Sequence, residues 1–575
     1  MSKPQAVDYK KVGLLSLVLV FWAGVCAKQM NHSPTPSQDA ASVEASGSSA
    51  QAPAPGPQLI QESVAATHPS MPVENTGPVK NVILMIGDGM GVQQVGQAVI
   101  YRQLRKAGDP ELALEKMMKG HASGLTRTTS YGDIVTDSAA AATAIACGMK
   151  VLNETVGLDP NGYPCETILE KAEKMGKATG LVSTTRITHA TPASFAGHQV
   201  FRDMENELAE DMIERHDIDV LLSGGIANFI PQYRDEVKKE PMKALDLEEC
   251  VGLKPEIDGK SKREDQKNLI AAAKSKGMTF VCRSEQLDRI SLAPDTKVLG
   301  LFSASVMPMI QERRSIASLP SLAQMTKASL ALLDRKPKGF FLMVEGGLID
   351  YAGHDNDAGT MLQETLDFDE AIQVAMDYVD RHPDTLLIVT ADHETGGFGF
   401  SYGKKIEFEL ALPSGLAYHK PYDFAAFTKY DYLIKQKKSF RAILEPITKK
   451  LYPKEPAEKP YTMNAAVKDL TAAIQKESSY SISEEEARRI LHREPGAKDA
   501  SPHDFPEFYV HSSIHPNILG RAVSDQNHAV WASGTHTATP ILTMARGPSR
   551  YADRVKGFID NTDIYKIIED ALNNR

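Results

Sequence analysis

Three near-continuous apolar runs, Val82 to Ile86, Phe340 to Val344 and Leu386 to Val389, each pass within a few residues into acidic groups. A strand with one wet face alternates apolar and polar positions, whereas a run that is apolar throughout must be covered on both sides, as in a parallel sheet between helices. The runs therefore predict an α/β chain. The first leads into Gly87-Asp88-Gly89-Met90-Gly91, the second into Glu345-Gly346-Gly347-Leu348-Ile349-Asp350, and the third into Thr390-Ala391-Asp392-His393. Carboxylates thus gather at strand C-termini, the edge where open α/β sheets bind ligands. Leu181 to Thr185, followed by Arg186 to His189, is a candidate fourth strand reaching the same edge.

The run Thr136-Asp137-Ser138-Ala139-Ala140-Ala141-Ala142 puts one hydroxyl at the mouth of an Ala-rich helix, directly after a carboxylate. By itself this suits an N-capped surface helix. A helix N-terminus also favours negative charge and turns backbone N–H groups toward an anion, which suits a serine nucleophile in phosphoryl chemistry.

Asp350 and His354 are four positions apart, so a helical turn aims both at one point. Asp392 with His393 offers a second such pair, and Gly534-Thr535-His536 a further imidazole. Each histidine alone suits a surface position or a satisfied hydrogen bond. Together with crowded carboxylates they suit zinc, because divalent ions neutralise acidic groups that would otherwise repel or take up protons.

The 575 residues carry a net charge of −10 and a mean hydropathy of −0.28, which disfavours a broad nucleic-acid footprint and suits a soluble body. Lys10 and Lys11 precede the apolar stretch Val12 to Val25, so residues 1–27 read as an export signal or membrane anchor. Cleavage near Ala27, lipidation at Cys26 and retention as an anchor all stay open. Residues 28–78, rich in Ser, Pro, Ala and Gln, read as an unfolded tether with a reach of roughly 40 Å. The expected location is periplasmic or at the cell surface. Cys147, Cys165, Cys250 and Cys282 show no zinc-ribbon spacing, and Cys250 with Cys282 is the expected disulfide.

From about 403 to 524 the character changes. Tyr422, Phe424, Phe427, Tyr430 and Tyr432 precede Lys-rich and Glu-rich stretches, and Ser483 with Glu486 forms a capping box before Ala487 to Leu491. This is an inserted subdomain containing at least one helix, its aromatics expected to make a small core of their own.

In order along the chain, Gly87-Asp88-Gly89-Met90-Gly91, Thr136-Asp137-Ser138-Ala139-Ala140, Val344-Glu345-Gly346-Gly347 through Asp350 and His354, Thr390-Ala391-Asp392-His393 and Gly534-Thr535-His536 resemble the alkaline phosphatase family. The resemblance covers about Lys80 to Tyr402 and resumes near His528. It implies a three-layer sandwich with a large, mostly parallel central sheet, and a catalytic domain at 79–575 interrupted by the insertion. The activity it implies is hydrolysis of small phosphate monoesters through a phosphoserine, with broad specificity and two zinc ions and one magnesium ion. Residue by residue, it makes Ser138 the nucleophile and gives Asp350, His354 and His536 one zinc. Asp88, Asp392 and His393 hold the other; Asp88 bridges to a magnesium shared with Glu345 and Thr191. Arg202 falls where the family clamps phosphate, and Asp137 lies just behind. A homodimer is compatible with it.

Two positions depart from the better-known bacterial pattern. His189 stands where many bacterial members have Asp, which implies weaker or water-mediated hold on magnesium. Tyr351 stands where Lys or His is usual, so phosphate inhibition is expected to weaken. The alternatives are a phosphodiesterase or sulfatase on the same scaffold and, from another class, a non-catalytic metal-binding surface protein.

Overall fold

The computed structural model describes residues 76–105, 110–232, 240–250, 253, 261–453, 461–492 and 511–575. The export signal and nearly all of the tether expected from the sequence lie outside these residues. Sixteen strands follow one another among them. They are β1 (Asn81–Gly87), β2 (Ala122–Arg127), β3 (Ala178–Arg186), β4 (Val220–Gly224), β5 (Met278–Val281), β6 (Lys297–Leu301), β7 (Phe340–Gly346) and β8 (Thr385–Ala391). The rest are β9 (Glu394–Thr395), β10 (Phe398–Phe400), β11 (Lys405–Ala411), β12 (Ala417–Tyr422), β13 (Ala529–Trp531), β14 (His536–Thr537), β15 (Ile541–Arg546) and β16 (Gly557–Asp560).

Ten of these form one sheet in the order β16-β2-β15-β8-β1-β7-β3-β4-β6-β5. Every neighbouring pair is parallel except those of β15, which runs antiparallel to both β8 and β2. The three apolar runs of the sequence are its centre. Their successive residues divide between two cores: Val82, Leu84, Phe341, Met343, Leu386 and Ile388 face one side, while Ile83, Met85, Leu342, Val344, Leu387 and Val389 face the other. On the first side pack helices Ser138–Cys147, Ile168–Lys174 and Asn561–Asn573; on the second, Val92–Gln103, Leu322–Leu333 and Ala358–Arg381. Coverage on both faces is why these strands need no polar alternation.

Register places the chemistry. Gly87 pairs with Gly346 on one side and Ala391 on the other, and Glu345 pairs with Ser183. Asp88, Glu345 and Asp392 therefore leave the sheet side by side.

The insertion starts with the β11–β12 hairpin and continues through helices Phe440–Leu451, Met463–Glu477, Glu484–Leu491 and Ile514–Ala522. The Ser483–Glu486 capping box opens the third of these as expected. Phe440, Leu444, Val467, Leu470, Ile490 and Leu519 form its own core. The expectation of a single small aromatic core is corrected. Tyr430 joins the main core and donates its hydroxyl to the Gln97 carbonyl at 3.0 Å, and Tyr432 stacks on Tyr480. Tyr422, Phe424 and Phe427 are exposed, because among the described residues no second layer covers the hairpin. Composition reports aromatic content but not whether a partner layer exists.

Cys250 and Cys282 form the expected disulfide, and Cys147 pairs with Cys165. Among the described residues no helix is long and apolar enough to cross a membrane.

Candidate active site and metal centre

Ser138 is the first residue of its helix, and Asp137 caps it by accepting from the Ala140 amide at 2.9 Å. The surface-helix reading fails here, since all ten helical residues are buried. The Ser138 hydroxyl lies 3.0 Å from Nε2 of His393. That imidazole nitrogen also stands 3.4 Å from Asp88 Oδ1 and 3.3 Å from Asp392 Oδ2. The sequence-expected Asp88, Asp392 and His393 thus meet the Ser138 hydroxyl.

Asp350 and His354 sit one turn apart on helix Leu348–His354, with Nε2 and Oδ2 3.2 Å apart. His536 enters on β14, its Nε2 3.1 Å from that of His354 and 3.5 Å from Asp350 Oδ1. The outward nitrogens of both histidines are occupied: His354 Nδ1 lies 2.7 Å from the Gly534 carbonyl and His536 Nδ1 3.0 Å from that of Thr136. A carbonyl acceptor at one ring nitrogen fixes the tautomer and leaves the other as a ligand.

A third group gathers Asp88, Glu345 and His189 within ligand distance of one another. Asp350 also comes within reach of Asp88 and His393. His189, expected only behind the ligands, therefore turns toward the cluster itself; its Nε2 is 3.3 Å from Arg202, while its Nδ1 makes no hydrogen bond among the described residues. Thr191 follows on the short helix Ala190–Ala196 that His189 caps, and its buried hydroxyl likewise makes no hydrogen bond among the described residues.

A recurrent arrangement tests whether cations fit. Asp392 uses Oδ1 to accept from the amides of Gly89 and His393, at 3.1 and 2.8 Å, and leaves Oδ2 without a hydrogen bond. Glu345 accepts on Oε2 from Ser183 and from Thr185, and leaves Oε1 likewise. Asp88, fully buried, has no hydrogen-bond partner at either oxygen among the described residues. Burial pushes the Asp88 carboxyl well up, and Asp392, Asp350 and Glu345 push it further; burial and Asp350 raise Asp392 to about 7. Burial opposes ionisation of Asp350 too, but His354 and His536 outweigh it and hold that carboxyl well below its ordinary range. Buried carboxylates with one oxygen anchored and the other bare are costly unless positive charge meets them, so the donor set fits divalent metal ions.

Arg202 is buried against the residue that caps helix Ser138–Cys147, donating through Nη1 to Asp137 Oδ2 at 3.0 Å. Tyr351 lies near His189, ring centroids 6.0 Å apart. Sequence reasoning missed what surrounds it: the Arg186 guanidinium stands beside its phenol, and Arg441, from the insertion, lies 5.8 Å from its ring. The position is thus flanked by two cations although it carries none. Ser183 and Thr185, which steer Glu345, were also missed, although a polar Ser-Thr-Thr end on an apolar strand was a usable signal.

The family model described as alkaline phosphatase matches residues 79–574. Alkaline phosphatase 3 of Bacillus subtilis is 32% identical over 507 residues, covering 87% of this chain and 90% of the relative. Repressible alkaline phosphatase of Saccharomyces cerevisiae is 36% identical over 334 residues, 55% of each chain. Among solved structures, the Thermus thermophilus alkaline phosphatase superposes with a TM-score of 0.69 at 29% identity, covering 87% of this chain and 93% of its own. A cold-active alkaline phosphatase from Shewanella sp. gives 0.62 at 26% identity, covering 86% and 99%.

Proposed function

Because the chain belongs to the alkaline phosphatase family and is a phosphomonoester hydrolase, we propose that Ser138 attacks the phosphorus of a monoester in line with the departing alcohol, forming a phosphoserine that water then cleaves to inorganic phosphate. The observation that carries this reading is the Ser138 hydroxyl 3.0 Å from His393 Nε2, amid carboxylates with bare oxygens.

Two zinc ions, one at Asp350, His354 and His536 and one at Asp88, Asp392 and His393, with magnesium at Asp88, Glu345, Thr191 and His189, would when bound supply Lewis-acid stabilisation of the attacking and leaving oxygens. The rest falls to the protein. The N-terminus of helix Ser138–Cys147 favours the negative charge that develops on the serine oxygen. Arg202 turns a planar fork toward two non-bridging phosphoryl oxygens, its orientation held by Asp137 and His189. Glu345, anchored by Ser183 and Thr185, and Asp392, anchored by two amides, keep their bare oxygens fixed in direction before substrate arrives. The machinery grips phosphate and leaves the alcohol unread, which favours broad specificity.

Export is part of the same reading. Lys10 and Lys11 ahead of Val12 to Val25 support it, as do two disulfides, which persist in oxidising compartments. Fractionating cells that express the full chain and its Cys26→Ser variant separates release from lipid anchoring.

The catalytic test is hydrolysis of an aryl phosphate at alkaline pH by the native protein, the chelated protein and Ser138→Ala. The expected loss is on the order of 10⁴-fold or more for each. Turnover indifferent to chelator overturns the mechanism, and faster turnover of the corresponding bis-ester redirects the reading to a diesterase.

A further inference from the structure

Helix Leu348–His354 is joined to helix Ala358–Arg381 by a turn of three residues, Asp355, Asn356 and Asp357. His354, at the head of that turn, belongs to the Asp350, His354 and His536 trio. Residues of the insertion meet these positions one after another. Asn517 Nδ2 donates to the His354 carbonyl at 3.0 Å. Arg441 grips Asp355 with both arms of its fork, at 3.0 and 2.7 Å, and its guanidinium also lies over Tyr351. Arg521 donates to the Asn356 side chain at 3.1 Å. Gln436 and the Phe440 amide donate to Asp357 at 2.8 and 2.7 Å.

The approach is as close as backbone allows. A Cβ on Gly520, in helix Ile514–Ala522, would fall 2.2 Å from the Asn356 carbonyl oxygen, and one on Gly534 would fall 2.6 Å from Asn517 Nδ2. Gly534 is also the residue whose carbonyl holds His354 Nδ1. Asn517 therefore packs against both residues, His354 and Gly534, that are joined by the hydrogen bond setting the tilt of the His354 ring. A subdomain attached only for stability needs apolar contact and no particular target; here, directional polar contacts converge on one turn.

We propose that the insertion is a brace for His354, fixing the turn that carries it and thereby setting how tightly the Asp350, His354 and His536 trio holds its cation. This rests on the reading of that trio as a zinc site. Asn517, Arg441, Arg521 and Gln436 act as positioning residues, through the turn and not on the substrate.

The test uses the full chain stripped of metal: the native protein, Asn517→Ala, and Arg441→Met combined with Asp355→Asn, which removes both members of the part-buried pair and so leaves the buried Asp355 position without a stranded charge. Zinc affinity is measured by competition with a chromogenic chelator, and folding by circular dichroism and thermal unfolding of the metal-free forms. Each variant should keep the native spectrum and lose 10- to 100-fold, roughly, in affinity for one zinc while binding the other as before. Variants that hold both ions as tightly as the native protein overturn the proposal, whether or not their melting temperature falls, since a lower melting point alone marks a purely structural contact. A native protein that takes up no zinc overturns the trio itself, a result the native arm reports independently of the variants.

Discussion

Asp88 and Asp357 are equally dry, at 0% and 1% exposure, yet their surroundings are opposite. Burial pushes both carboxyls up. At the seam with the insertion, Asp357 accepts from Thr360 through its amide and hydroxyl, from Gln436 and from the Phe440 amide. At the sheet edge, Asp88 accepts from nothing described and faces Asp392, Asp350 and Glu345. Burial with donors makes an acid part of the architecture, and burial among like charges makes it a seat for a cation.

The comparison can be broken most forcefully at the edge. Asp88→Asn should lower kcat/KM for an aryl phosphate by at least about a hundredfold, roughly 3 kcal/mol, while raising the melting temperature of the metal-free protein, because it removes one of several crowded negative groups. A fall in that melting temperature would erase the distinction from Asp357. Next in size comes Arg313, which is buried and pairs with Asp367 at 2.6 Å and with Glu364 at 3.6 Å. Arg313→Met strands two acids and should cost about 3 kcal/mol in urea unfolding without altering metal content. Asp357→Ala, which takes the acceptor from the Phe440 and Thr360 amides and one of several from Gln436, should cost about 2–3 kcal/mol in the same measurement.

Glu364 gives the pH dependence. Burial first, then Asp367, raises it against the pull of Arg313 to about 7, from an ordinary 4.5. Between those values the folded chain holds a proton that the unfolded chain releases, so stability is fullest below 4.5 and declines as pH climbs through 7. Unfolding titrations should show a decline of roughly 2–3 kcal/mol across that window, flattened in Glu364→Gln. The smallest effect belongs to Tyr351→Lys. With Arg186 and Arg441 already beside that ring, a further cation should tighten phosphate inhibition by only a few-fold, about 1 kcal/mol. A tenfold change would mean that those arginines do not reach the phosphate.

The sheet edge was legible because apolar runs and the carboxylates after them are local signals, and the four-residue spacing of Asp350 and His354 fixes their shared face without tertiary information. The Cys147–Cys165 pair was legible only by remainder, as the two of the four cysteines after Cys26 left once Cys250 is joined to Cys282, since nothing local to either residue marks it. Arg441 was not legible, its partner Asp355 being 86 positions away in a different element. The exposed fate of Phe424 and Phe427 depended on a covering layer that no residue in the hairpin could reveal.

One topological detail governs assembly. Strand β2, formed early in the chain, reaches the rest of the sheet only through β15, which lies near its end. Until β15 is in place, β8 keeps a bare flank and β2 has no route into the sheet. Such a distant closure is slow and leaves a sticky edge waiting. Completion is therefore a late event, and a chain shortened to end before β15 would hold every candidate metal ligand, His536 being the last, yet have no finished sheet to set them in.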